Sequence, residues 1–218
     1  MSDTGIADIP ESFFEYRADL SVAMFSAWTL PNPLVPSVLG ALAKWNVGLS
    51  DVTWNNEAKS FKDLQLTFNV AQLDAAIKVG VDSVLFIALN PDWEDAPNLV
   101  SAFDEAIKAI CKTGNTQVRS QEISLAMHVK PGSTPFVDVM ARLVNKEVLG
   151  PGEMYGFSVY RDTSSLVIDK SIRYEKAVFL RLTRRFAASS SFEEIADILY
   201  KDELKALDFL GLRELLER

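Results

Sequence analysis

Asp19-Leu20-Ser21-Val22-Ala23-Met24-Phe25 is echoed later in the chain by Glu122-Ile123-Ser124-Leu125-Ala126-Met127-His128. Each stretch leads through a proline-bearing loop into a helical pattern, Pro33-Leu34-Val35 in one case and Pro135-Phe136-Val137 in the other. Each half then runs through strands rich in Val, Leu and Phe to a helix that opens Phe103-Asp104-Glu105 or Phe192-Glu193-Glu194. A repeat of this period predicts two copies of one α/β unit around a shared core. The expected division is a flexible N-terminus over 1–14, a first repeat over 15–115 and a second over 116–218, packed as one globular unit.

Working outward, 17–27 carries apolar residues on both sides of an alternating pattern, which predicts a buried strand. Leu34, Val38, Leu39, Leu42 and Trp45 form a helical stripe, with Pro36 tolerated only in its first turn. Strands are expected over 52–58, 61–70, 75–79 and 81–89, with Gly80 marking a bend. A helix from Leu99, capped by Asn98 and closed by Gly114, completes the first half. In the second half, 117–129 is the matching strand and Thr134-Pro135 a helix start. Strands are expected over 154–160, 165–169 and 177–185. Ser191 to Glu194 is a capping box opening the last helix, where Lys201-Asp202-Glu203 breaks the apolar stripe and predicts a bend.

The expected class is α+β: a tandem β-α-β(3-4)-α unit forming one curved antiparallel sheet, with helices on one face. In element order this resembles the fold of the TATA-box-binding protein and, more loosely, the helix-grip folds. The resemblance lies in topology and carries no residue-level motif, so it implies architecture and not activity.

Composition excludes several classes. The chain has 218 residues, 48% hydrophobic and 24% charged, enough for a sizeable core. A net charge of -8 opposes general attraction to nucleic acid or anionic membrane. The single cysteine, Cys111, excludes an internal disulfide and suggests the cytoplasm. The first dozen residues lack a signal-peptide pattern, and no apolar run reaches the ~18 residues of a membrane span.

Catalytic vocabulary is sparse. The sequence contains no dinucleotide or phosphate loop, no Gly-x-Ser-x-Gly elbow, no His-Glu-x-x-His and no Cys-x-x-Cys. With one histidine and one cysteine, the usual nucleophile–base pairings have little raw material. No catalytic residue, metal ligand or cofactor is therefore expected. Candidate ligand or partner residues come from elsewhere. The segment from Arg161 to Arg185 holds seven cations against three carboxylates, net +4. Alternation along 177–185 puts Phe179, Arg181 and Arg185 on one side, near Arg161, Arg173 and Tyr160. Such a face suits phosphates, carboxylates or unstacked bases, unless its arginines pair with acids on neighbouring strands. His128 reads as a polar strand-end residue. Trp28 and Trp54, both in the first half, are candidates to line a cavity between helices and sheet.

The leading expectation is a non-catalytic binding or protein-interaction module, its partner another protein or a second copy of itself. The alternatives are a small-molecule carrier or sensor with an apolar cavity, and an anion- or nucleic-acid-binding face at Arg161–Arg185. Nucleic acid is disfavoured by overall acidity, and no membrane association is expected.

Overall fold

The computed structural model describes residues 8–29, 32–55, 57–91, 94–130 and 156–209. They form an α+β fold with one nine-stranded antiparallel sheet. The strands are β1 (Asp8–Leu20), β2 (Val52–Trp54), β3 (Leu66–Val70), β4 (Ala75–Val79), β5 (Ser83–Leu89), β6 (Val118–Lys130), β7 (Phe157–Tyr160), β8 (Ser164–Lys170) and β9 (Val178–Ala187). Their hydrogen-bonded order is β2-β3-β4-β5-β1-β6-β9-β8-β7. Three α-helices occur among the described residues: α1 (Leu34–Ala41), α2 (Ala96–Gly114) and α3 (Phe192–Phe209). None is long and apolar enough to cross a membrane. The chain divides into two compact units, 14–123 with 185–196, and 1–13 with 124–184 and 197–218. We call them the N-terminal and C-terminal units; they cut across the expected 15–115 and 116–218 halves.

In the N-terminal unit, strict alternation builds the meander. Leu66, Phe68 and Val70 on β3, Ala75, Ile77 and Val79 on β4, and Val84, Phe86 and Ala88 on β5 are buried, while the residues between them are not. The register pairs Phe68 with Ile77 and Ile77 with Phe86, so the buried set forms one apolar face. Gly80 closes the β4–β5 turn through its N–H to the Ser83 carbonyl at 2.8 Å. Helix α2 lays Phe103 onto this face, where it meets Phe14, Tyr16, Phe86 and Phe192. The Tyr16 hydroxyl donates to Gln121 Oε1 at 2.9 Å, and the Gln121 amide donates to the carbonyls of Ala187, Ala188 and Ser190. A buried polar pair is thus fully used, fixing the turn between β9 and α3.

Several expected boundaries are corrected. The first strand is 8–20 rather than 17–27, so residues 8–14, expected to be flexible, are strand. Beyond Leu20 the chain leaves the ladder, and Phe25–Trp28 is a 3-10 turn. Met24, Ala27 and Trp28 are buried at i, i+3 and i+4, a helical spacing that a largely apolar stretch disguises as alternation. The heptapeptide match therefore does not mark equivalent positions. Glu122 to His128 lies wholly within β6, whereas only Asp19 and Leu20 of the earlier stretch belong to β1.

Phe61–Asp63 is likewise a 3-10 turn, not strand. Asp63 Oδ2 accepts from the Ser60 N–H and hydroxyl, both at 2.9 Å, and these local bonds replace ladder bonds. Helix α1 ends at Ala41, with Trp45 in a following 3-10 turn. Helix α2 starts at Ala96, before Leu99, because Pro97 fits its first turn, and its left-handed cap is Asn115, φ 48°. Gly114 serves another purpose: a Cβ there would overlap the Met24 side chain.

In the C-terminal unit, Leu125, Met127 and Val129 of β6 pack with Ile168 of β8, Val178 and Leu180 of β9, and Ala206 of α3. Helix α3 opens on the expected capping box, Glu194 N–H to Ser191 Oγ at 3.2 Å and Ser191 N–H to Glu194 Oε2 at 3.1 Å. It then runs unbroken through Lys201-Asp202-Glu203, without the predicted bend. The expected Thr134-Pro135 helix and Met154 lie outside the described residues.

Candidate functional site

Pairing along the sheet brings an apolar surface under α3. Phe157 opposes Ile168 and Val159 opposes Leu166 across β7–β8; Leu166 opposes Leu182 and Ser164 opposes Arg184 across β8–β9. Directly opposed residues share a face. Phe157, Val159, Leu166, Leu182 and Arg184 therefore point the same way, towards the helix. From α3, Leu199, Asp202 and Ala206 answer at i, i+3 and i+7, one helical stripe. Leu199 and Ala206 are themselves buried, and Phe157, Leu166 and Leu182 pack against the core cluster that holds Ala206. They border a half-open groove of ≈420 Å3, whose remaining wall includes Arg161, Thr163 and Lys205.

Charge in the groove is arranged unevenly. Arg184 Nη1 pairs with Asp202 Oδ2 across it, both side chains partly sheltered. Arg161 and Lys205 are exposed at the rim and form no ion pair among the described residues. The site offers apolar walls, hydroxyls and cations, with one carboxylate already engaged.

A second cluster sits on the opposite sheet face, around His128. Its ring is buried, with centroids 5.2 Å from Tyr174 and 5.1 Å from Phe179. Nδ1 lies 3.0 Å from Ser171 Oγ, and Nε2 lies 3.9 Å from Glu11 Oε2. Glu11 Oε1 pairs with Arg173 Nη1 at 2.7 Å. Ser171 Oγ already accepts the N–H groups of Arg173 (3.2 Å) and Tyr174 (2.8 Å), so its own proton goes to Nδ1. That assigns the remaining ring hydrogen to Nε2, facing Glu11. Burial lowers the His128 pKa below its usual value; Glu11 works against that shift, and Arg173 adds to it.

The serine–histidine–carboxylate order invites comparison with a nucleophile–base pair, but the bonding argues otherwise. Ser171 is buried, and its oxygen is occupied by two backbone donors that pin the turn after β8. A nucleophile needs a lone pair aimed at substrate. Cys111 is no better placed, since burial raises its thiol pKa and so disfavours the thiolate. Among the described residues no group of His, Cys, Asp and Glu is arranged to hold a metal ion.

The remaining candidates are spread out. Phe179 and Arg173 join His128 in one cluster. Arg181 stands exposed on the same face, with Nε donating to Ser124 Oγ at 2.7 Å. Arg185, in the N-terminal unit, pairs with Glu122 at 2.9 Å. Tyr160 is 76% exposed at the end of edge strand β7. Arg161 alone of the candidate residues borders the groove. Trp28 is buried in the N-terminal unit, and Trp54, 43% exposed, stacks edge-on against it at 5.6 Å. Phe157, Leu166, Leu182, Arg184, Asp202 and Lys205 were not among the candidates. The signal for them was two charged defects in otherwise apolar stripes, Arg184 after Leu180 and Leu182, and Asp202 between Leu199 and Ala206.

No protein-family model matches the sequence, and a search of curated proteins finds no significant match.

Proposed function

We propose that this chain is a non-catalytic binding module that seats a small apolar-bodied ligand in the groove between β7–β9 and α3. The observation that carries the reading is the groove itself, ≈420 Å3, within the usual range of about 300–1,000 Å3 for small-molecule sites. Apolar walls with a few convergent polar groups are the usual composition of such sites. A role for the chain as an enzyme has less support, because its only histidine is committed to holding a turn. The arginine-rich face also loses weight as a nucleic-acid surface. Arg173 and Arg185 are paired with Glu11 and Glu122, which offsets the charge that phosphates would need.

The strand order supports a duplicated origin as part of the same proposal. Outward from β1 the order is β5, β4, β3, β2; outward from β6 it is β9, β8, β7. Each series runs backwards through its own half, as a pseudo-twofold copy of a TATA-binding-protein-like or helix-grip-like unit requires. The reading keeps the protein in the cytoplasm, consistent with a lone cysteine.

A protein-contact reading has one specific observation behind it. In the N-terminal unit Phe25 and Phe61, 56% and 45% exposed, stack at 5.2 Å on the surface. Exposed aromatic pairs of this kind are favoured at interfaces with another protein or a second copy.

Nile red, a neutral apolar dye, tests the groove. Saturable one-to-one binding by the wild type, lost in Val159→Trp with thermal stability retained, is the expected result. Undiminished binding by a folded Val159→Trp protein, or none by the wild type, would overturn it.

A further inference from the structure

Resting on the groove reading above, we infer that the ligand is a monomeric single-chain anionic amphiphile. Its carboxylate is held by Arg161 and Lys205, and its hydrocarbon tail lies along Phe157, Val159, Leu166 and Leu182.

The first support is the sign of the local charge. Three cations and one carboxylate border the groove, net +2, in a chain of net -8. Asp202 engages Arg184 and leaves the other two cations unneutralised by any described residue. Two exposed cations that line an apolar groove without an ion pair among the described residues favour an anion there. The second support is the division of the walls. A fully polar anion would leave the exposed parts of the partly buried Phe157, Val159, Leu166 and Leu182 uncovered, and a plain hydrocarbon would gain nothing from the cations. A molecule with both parts uses both, its methylenes gaining from burial against the apolar wall and its head group from the cations. The third is the Arg184–Asp202 pair, in which the carboxylate offsets the charge of one guanidinium of the groove lining. Recognition of the head group then falls to Arg161 and Lys205 at the mouth, where an anion keeps part of its hydration and its desolvation cost stays low.

Calorimetric titration of the full chain with three ligands of equal chain length separates this inference from the reading beneath it. Decanoate carries the anionic head, decanamide a neutral one and decyltrimethylammonium a cationic one. Decanoate is expected to bind one-to-one and about tenfold or more tighter than the other two, the scale of a charge-assisted contact at a partly exposed site. The Arg161→Gln/Lys205→Gln double variant, altered only at exposed positions, should lose about tenfold for decanoate and nothing for decanamide. Equal binding of decanoate and decanamide, both abolished by Val159→Trp, would overturn the anionic-head inference and leave the groove reading standing. Absence of binding by any of the three would overturn both. Co-sedimentation with phosphatidylglycerol vesicles without uptake of dissolved decanoate would show a bilayer headgroup as the source and overturn the assignment to a monomeric amphiphile.

Discussion

Helix α2 and helix α3 each lie against strands of the same sheet, yet one contact is solid and the other holds a groove. Under α2, the N-terminal unit presents Phe14, Tyr16 and Phe86 to Phe103, with Phe192 closing the cluster. Under α3, the C-terminal unit presents Leu166, Leu182 and Arg184 to Leu199, Asp202 and Ala206. Aromatic rings fill the space in the first contact. In the second, a small residue and an ion pair occupy the facing positions, and a half-open groove borders the contact. A helix-on-sheet contact thus becomes either core or binding site through the volume and charge of a few facing residues.

Breaking the solid contact should have the largest effect. Phe103→Ala removes the ring shared by the whole aromatic cluster and should cost about 3–5 kcal/mol in chemical denaturation, the range for buried Phe→Ala. A cost below about 1 kcal/mol would mean that the N-terminal contact is not the close-packed one described.

The ion pair in the groove should matter less. Asp202→Ala leaves Arg184 partly sheltered without its carboxylate and should cost about 1–2 kcal/mol, between exposed and fully buried pairs. Replacing both, Arg184→Met with Asp202→Leu, should recover most of that loss, because an apolar pair needs no partner. A double variant as unstable as the single one would show that the charges, not the missing volume, hold the groove open.

The smallest effect is expected at His128. Its folded pKa is depressed, so the unfolded chain takes up the proton first as pH falls. The neutral ring's contribution is complete above about pH 6.5, the usual value for histidine, and is lost as pH falls from there through the lowered folded value. The wild type should therefore lose stability on acidification below about pH 6.5 more steeply than His128→Gln, read from thermal unfolding in matched buffers. Parallel curves would contradict the buried, neutral assignment.

Much of the sheet was legible from alternation. β4 and β9 are within a residue or two of their expected bounds, because one buried face imposes a period that sequence preserves. The start of β1 was not legible, since Phe13, Phe14, Glu15 and Tyr16 mix aromatic and charged residues without a clean period. The turn at Phe25–Trp28 was misread because apolar residues on every side leave no period to read. The paired arginines at Arg173 and Arg185 were foreseeable as one of two outcomes, and distance decided between them. The groove was hidden for a different reason. Arg184 and Asp202 lie on different elements, 18 residues apart, and the side-chain facing of β9 together with the continuous α3 brings them face to face.

Methyl-resolved NMR of the full chain during a decanoate titration addresses the groove most directly. Saturating shifts confined to the methyls of Val159, Leu166, Leu182, Leu199 and Ala206, with Val84, Leu99 and Ile110 unmoved, is the predicted result. Shifts centred on the N-terminal unit, or none at ligand concentrations where calorimetry registers binding, would contradict it.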